Sequence, residues 1–214
     1  MDEKAHNPGA EKAARLLISF VADNSASMKS DRLRTLMGAF RQFAQKVADQ
    51  SNLEWELLTF DTFSPAVVKS FESGELLPVS AGRFPLLGRA ALTAADRLSA
   101  RVKALRDAGE TVYRPWMFLL SDGFTMDNMD EAAARLDRME QSGELLYLPF
   151  KLSPKLATER LQILDRNKHM IEIKEGQIES LFSFVLRMIE QRATLAPDVG
   201  IKFAKSDFEG WAVL

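Results

Sequence analysis

The sequence predicts a doubly wound α/β domain, with a mostly parallel sheet of about six strands and helices on both faces. Three observations carry that reading. Apolar runs of strand length alternate with amphipathic stretches of helical length, as in successive βαβ units. Two of the runs, Leu16–Ala22 and Met117–Leu120, are apolar without alternation, which suits strands covered on both faces. Both lead into short polar loops carrying an aspartate, Asp23 and Asp122. In an open parallel sheet the carboxyl ends of central strands form the crevice where ligands bind.

Taken in order, residues 1–14 (MDEKAHNPGAEKAA) show no period and read as a flexible leader. After the first strand, Leu33, Leu36, Met37, Phe40, Phe43, Ala44 and Val47 recur at helical spacing, predicting a helix from Arg32 to about Gln50. Leu53–Phe60 alternates at first and predicts a strand with one partly exposed face, and Ala66–Phe71 an edge strand. A second long helix is expected from Leu86 to about Ala108, stopped by Gly109. Ala132–Gln141 reads as helical and Glu144–Phe150 as a strand that Pro149 either ends or places at an edge. A short helix at Lys155–Leu164, a strand at Met170–Ile173 and a helix at Ile178–Thr194 complete a domain spanning 15–196. The segment 197–214 carries Ile201, Phe203, Phe208 and Trp211, too apolar to hang free, so it is expected to pack on the domain.

Composition narrows the function classes. With 214 residues, 46% hydrophobic and 27% charged, the chain suits one globular α/β domain. The lack of cysteine removes disulfides, thiolate metal sites and a cysteine nucleophile, and fits a cytoplasmic setting. A balance of 28 basic against 30 acidic residues without long blocks of one sign gives no footprint for nucleic acid or an anionic membrane. No apolar run reaches the roughly 18 to 20 residues that span a bilayer.

The loop after the first strand reads Asp23, Asn24, Ser25, Ala26, Ser27, and the second aspartate is followed by Gly123. Asp23, Ser25, Ser27 and Asp122 together offer only oxygen, the donor set that hard cations such as magnesium prefer. The competing reading is structural, because Asp and Ser commonly cap helices and shape turns. Trp116 is expected to fill the core and Arg114 to pair with a carboxylate nearby. Phe124 and Met126 sit in a loop at the sheet rim, where with Phe84 they would form an apolar patch suited to a partner protein. With His6 in the leader, a Ser-His-Asp hydrolase would have to use His169, which sits away from the crevice and has no nucleophile elbow to accompany it. The enzyme alternative is a metal-dependent phosphoesterase using Asp23 and Asp122.

The stretches VADNSAS at 21–27 and YRPWMFLLSDGFTMD at 113–127 resemble the von Willebrand factor A (VWA) family, and within it the bacterial TerY/YegL-like branch associated with tellurite resistance. The resemblance implies a Rossmann-like fold and a metal-ion-dependent adhesion site (MIDAS) built from Asp23, Ser25, Ser27 and Asp122, plus one threonine. It also implies a stress-response or defence setting with a kinase or phosphatase as partner. The chain departs from the pattern where that threonine should stand. Gly82, Arg83, Phe84, Pro85, Leu86, Leu87 and Gly88 put Phe84 or Pro85 there, and neither side chain ligates a cation.

The resulting expectation is a non-catalytic module that binds a partner protein through the rim residues Arg83, Phe84, Phe124, Met126 and Asp127, with Mg2+ or another divalent cation at an incomplete site. Restoring the oxygen tests this register: of Phe84→Thr and Pro85→Thr, one is expected to tighten Mg2+ binding by calorimetry, and no gain in either would sink the family placement of that loop.

Overall fold

Leu16–Asp23 forms β1, buried at every residue, as its largely apolar sequence, broken only by Ser19 before Asp23, leads one to expect. Its neighbours on both sides are parallel: β2 (Leu53–Phe60) and β4 (Trp116–Ser121). The remaining strands are β3 (Ala66–Lys69), β5 (Leu146–Lys151), β6 (Ile171–Ile173) and β7 (Ala212–Val213). The helices are α1 (Ser30–Lys46), α2 (Leu87–Asp107), α3 (Asp130–Gln141), α4 (Glu159–Leu164) and α5 (Ile178–Thr194). This computed structural model describes residues 13–28, 30–61, 65–82, 84–152, 159–167, 170–196 and 199–213. The leader through residue 12, His6, Arg83, His169 and the start of the helix expected from Lys155 lie outside them.

The seven strands run in the order β3-β2-β1-β4-β5-β6-β7, with β3 antiparallel to β2 and β7 antiparallel to β6 at the two edges. The winding reverses between β1 and β4, so the crevice of this doubly wound sheet opens at their carboxyl ends. Strand alternation divides the core in two. Even-numbered residues of β1 meet α1 and α5, and odd-numbered ones meet α2 and α3. On the first face the Phe20 ring is surrounded by Phe40, Phe43, Trp55, Phe118 and Phe182, with centroids 5.2 to 6.0 Å away. On the second, Ala90, Ala91, Ala94 and Ala95 are fully buried and let α2 lie close on the sheet.

Two expectations are corrected. β2 has no exposed face over most of its length, because its acidic residues are covered by arginines of α2. Glu56 is fully buried; Arg97 Nε and Ser19 Oγ each donate to it at 2.8 Å. Arg101 makes a forked pair with Glu54 at 2.7 and 3.0 Å. Residues two apart on a strand and four apart on a helix are both separated by about 6 Å, so the two ion pairs fit side by side. Burial raises the Glu56 pKa, against the hydrogen bonds from Ser19 and Arg97. Similarly, Pro149 neither ends β5 nor sits on an edge strand. Pairing with β6 begins only at Phe150, so the residue that lacks an N–H has a strand on one flank alone.

The seventh strand comes from the tail. Phe203, Phe208 and Trp211 gather on Phe184 of α5, with centroids 5.7, 5.0 and 5.6 Å from its ring. Arg192 donates to the carbonyls of Leu195, Ala196 and Val199 while its guanidinium lies 4.6 Å from the Tyr113 ring centre. Trp116 is buried in the core as expected, whereas Arg114, expected to pair with a carboxylate, donates to the backbone carbonyls of Glu140 in α3 and Leu145 just before β5. Among the described residues no helix is long and apolar enough to cross a membrane.

Removing the arginine from this part-buried pair leaves the buried Glu56 carboxylate with the Ser19 hydroxyl as its donor at 2.8 Å and with the more distant charge of Lys69. Arg97→Ala is expected to cost about 3 kcal/mol in urea unfolding, and adding Glu56→Gln to that variant should recover part of the loss.

Candidate functional site

The register that pairs Ala22 with Leu120 brings the ends of β1 and β4 level, with Asp23 beside Ser121. Ser121 Oγ donates to Asp23 Oδ2 at 2.9 Å, and the Ser25 N–H donates to Asp23 Oδ1 at 2.8 Å. Asp23 is therefore fully buried with both oxygens engaged, the geometry of a bracket between loops and not of an exposed nucleophile. Asp122 is fully buried too. Its Oδ1 accepts the Phe124 N–H at 3.2 Å, whereas its Oδ2 has no hydrogen-bond partner. The hydroxyls of Ser25 and Ser27 lie 2.8 Å apart and bond to each other.

Burial pushes the Asp23 carboxyl up to about 6, and the charge of Asp122 acts the same way, against the hydrogen bonds from Ser25 and Ser121. The four residues singled out in the sequence thus meet in one place: two buried carboxylates that repel each other, two hydroxyls, and one orphaned carboxylate oxygen. That donor set fits a hard divalent cation, which would cancel the repulsion and take the free oxygen. Asp23, Ser25, Ser27 and Asp122 would hold it. Among the described residues there is no cluster of three or more His, Cys, Asp or Glu side chains suited to a metal.

Where the resemblance places a threonine, the β3–α2 connection carries Phe84 and Pro85, which have no side-chain oxygen. Phe84 is 53% exposed, and Pro85 is buried with its carbonyl accepting the Met126 N–H at 3.0 Å. Helix α2 starts after Leu86, which has no capping side chain. Its free N–H groups are met instead from the β4–α3 loop: Leu87 N–H donates to Thr125 Oγ1 at 3.1 Å and Arg89 N–H to Asp127 Oδ2 at 2.9 Å. The Thr125 hydroxyl also lies within hydrogen-bond distance of the Pro85 carbonyl and Asp127 Oδ1. Gly88 permits this closeness, since a Cβ there would stand 2.8 Å from the Asn128 carbonyl oxygen.

Asp127, expected on the rim, thus spends one oxygen on the start of α2 and the other on Thr125 of its own loop. Phe124 and Met126 on the same loop are 44% and 59% exposed and, with Phe84, give the rim its apolar surface. Sequence reasoning missed Ser121, Thr125 and the part played by Asn24. An uncapped helix start at Leu86 is the signal that a capping group from elsewhere was needed.

By sequence, no family model and no curated protein matches the chain. Solved structures do. The SpRpn10 VWA domain superposes with a TM-score of 0.56 at 13% identity, over 80% of this chain and 95% of that one. The fold is that of a VWA domain. The N-terminal domain of TFIIH p34 matches with a TM-score of 0.59 at 8% identity, covering 83% of this chain and 99% of its own. A manganese-loaded Plasmodium vivax TRAP protein matches with a TM-score of 0.53 at 9% identity, covering 79% and 72%. At these identities the likeness establishes the VWA fold alone.

The raised Asp23 pKa gives a signed pH dependence. The folded state holds this proton up to about pH 6 and the unfolded chain only to about 3.8. The group's contribution to stability is therefore fully present below 3.8 and lost as the pH rises through 6. Metal-free protein is expected to unfold at higher urea at pH 5 than at pH 7, and Asp23→Asn to flatten that difference.

Proposed function

We propose that this protein is a non-catalytic interaction module that binds a partner protein through the loops at the carboxyl rim of its VWA-like sheet. The observation that carries this reading is the set of exposed apolar side chains, Phe84, Phe124 and Met126, standing on loops tied together by hydrogen bonds from Leu87, Arg89 and Met126 to Thr125, Asp127 and Pro85. Rigid apolar residues at a fixed spacing lose little conformational entropy when a partner covers them.

A divalent cation, Mg2+ or Mn2+, held by Asp23, Ser25, Ser27 and Asp122 completes the reading. When bound, it supplies a positive docking point for an acidic side chain of the partner. The resemblance of residues 113–127 to the TerY/YegL-like branch supports a cytoplasmic stress-response or defence setting, with a kinase or phosphatase of the same system as the partner class.

Two measurements check the two parts separately. Calorimetric titration of Mg2+ and Mn2+ into metal-free protein is expected to show one site, abolished by Asp122→Asn; no heat with the wild type removes the cation. Proteins captured from the native cell by the wild type are expected to be lost with Phe124→Ser and Met126→Ser together, yet retained with Arg106→Glu at the far end of α2. Equal capture by all three would overturn the rim as the binding surface.

A further inference from the structure

Asn24 follows Asp23 as Asp122 follows Ser121, and Asp23 and Ser121 are hydrogen-bonded neighbours. The β1–β4 register ends with Ala22 opposite Leu120, and Asn24 and Asp122 each stand two residues beyond that pair, where the chain leaves the neighbouring strands. Each of these two residues carries a buried oxygen with no hydrogen-bond partner, Asn24 Oδ1 and Asp122 Oδ2, and the residues are 7% and 0% exposed.

The Asn24 amide is fixed by its other end. Its Nδ2 donates to the Ser80 carbonyl at 3.0 Å, and the Gly82 N–H donates to the Asn24 backbone carbonyl at 2.7 Å. Both contacts are to the β3–α2 connection, the loop where Phe84 and Pro85 occupy the expected threonine position. With the nitrogen committed to Ser80, the oxygen is the atom left over, beside the loop that lost its ligand.

Two buried acceptors at the exits of adjacent strands, one of them on a carboxylate, leave two desolvated groups unsatisfied. A water could donate to both, but it would leave the charges of Asp23 and Asp122 uncancelled. A hard cation satisfies both oxygens and neutralises the carboxylates as well. Asn side-chain carbonyls are ordinary oxygen ligands for such ions.

We infer that Asn24 Oδ1 is a cation ligand of the rim site, taking over the oxygen that the β3–α2 connection no longer provides. This rests on the cation reading of the rim given above. The site then has five side-chain donors, from Asp23, Asn24, Ser25, Ser27 and Asp122. Every residue of the loop from 23 to 27 except Ala26 contributes one.

The test is calorimetric titration of Mn2+ into the metal-free full chain, with the paramagnetic resonance signal of free Mn2+ as a second readout. Asn24→Leu keeps the size and removes the oxygen; Asn24→Asp keeps an oxygen and adds charge. Both lose the donor to Ser80, so the pair separates ligation from loop anchoring. The expected result is affinity about tenfold weaker or worse in Asn24→Leu and equal or tighter in Asn24→Asp. Wild-type affinity in Asn24→Leu overturns the inference and leaves a water on that oxygen, with the cation reading intact provided Asp122→Asn still abolishes binding. Equal weakening in both variants overturns it in favour of an anchoring role. No uptake by the wild type overturns the cation reading and the inference together.

Discussion

Two carboxylates brought to the ends of adjacent, fully buried strands set the terms for the rest of this molecule. β1 and β4 are apolar on both faces, so they stack at the centre of the sheet and draw Asp23 and Asp122 out of water with them. Desolvating a carboxylate is costly unless hydrogen bonds or a counter-charge replace the lost hydration. Asp23 receives two such bonds, one from Ser121 across the strands and one from Ser25 in its own loop. Asp122 receives one and keeps a bare oxygen. That imbalance distinguishes Asp122 from Asp23 at the rim.

The loops around the site are organised by a second unmet need, the exposed N–H groups at the start of α2. Because Leu86 cannot cap the helix, Thr125 and Asp127 reach across from the β4–α3 loop and do so. One set of hydrogen bonds therefore satisfies a helix end and also locks the loop carrying Phe124 and Met126 to the segment carrying Phe84. The apolar rim residues are held in place by polar groups beneath them, which is why they can remain exposed without the loops collapsing inward.

Away from the rim, charge is handled by pairing and not by exposure. The β2 glutamates face α2 and meet Arg97 and Arg101 in a ladder whose spacing follows from strand and helix geometry. At the other end of the sheet, Arg192 collects three carbonyls as the chain leaves α5, and the tail aromatics then cover Phe184. These contacts add β7 and close the β6 edge.

Legible in the sequence were the α/β alternation, the burial of β1 and β4 on both faces, the helix faces and the four candidate oxygen residues at strand exits. Each of these is written in local patterns: apolar runs, apolar residues at helical spacing, and polar residues at strand exits. That β1 and β4 are neighbours came with the fold. The tertiary structure decided what depends on distant partners. Glu56 looks solvent-facing until Arg97, 41 residues away, is packed over it. Pro149 looks like a strand end until the short β6 leaves its flank open. Asp127 looks like a surface carboxylate until α2 arrives without a cap. The roles of Ser121 and Asn24 likewise come into view only in the folded chain. Strand register sets Ser121 beside Asp23, and the β3–α2 connection brings the Ser80 carbonyl to the Asn24 amide, partners 98 and 56 residues away in the chain.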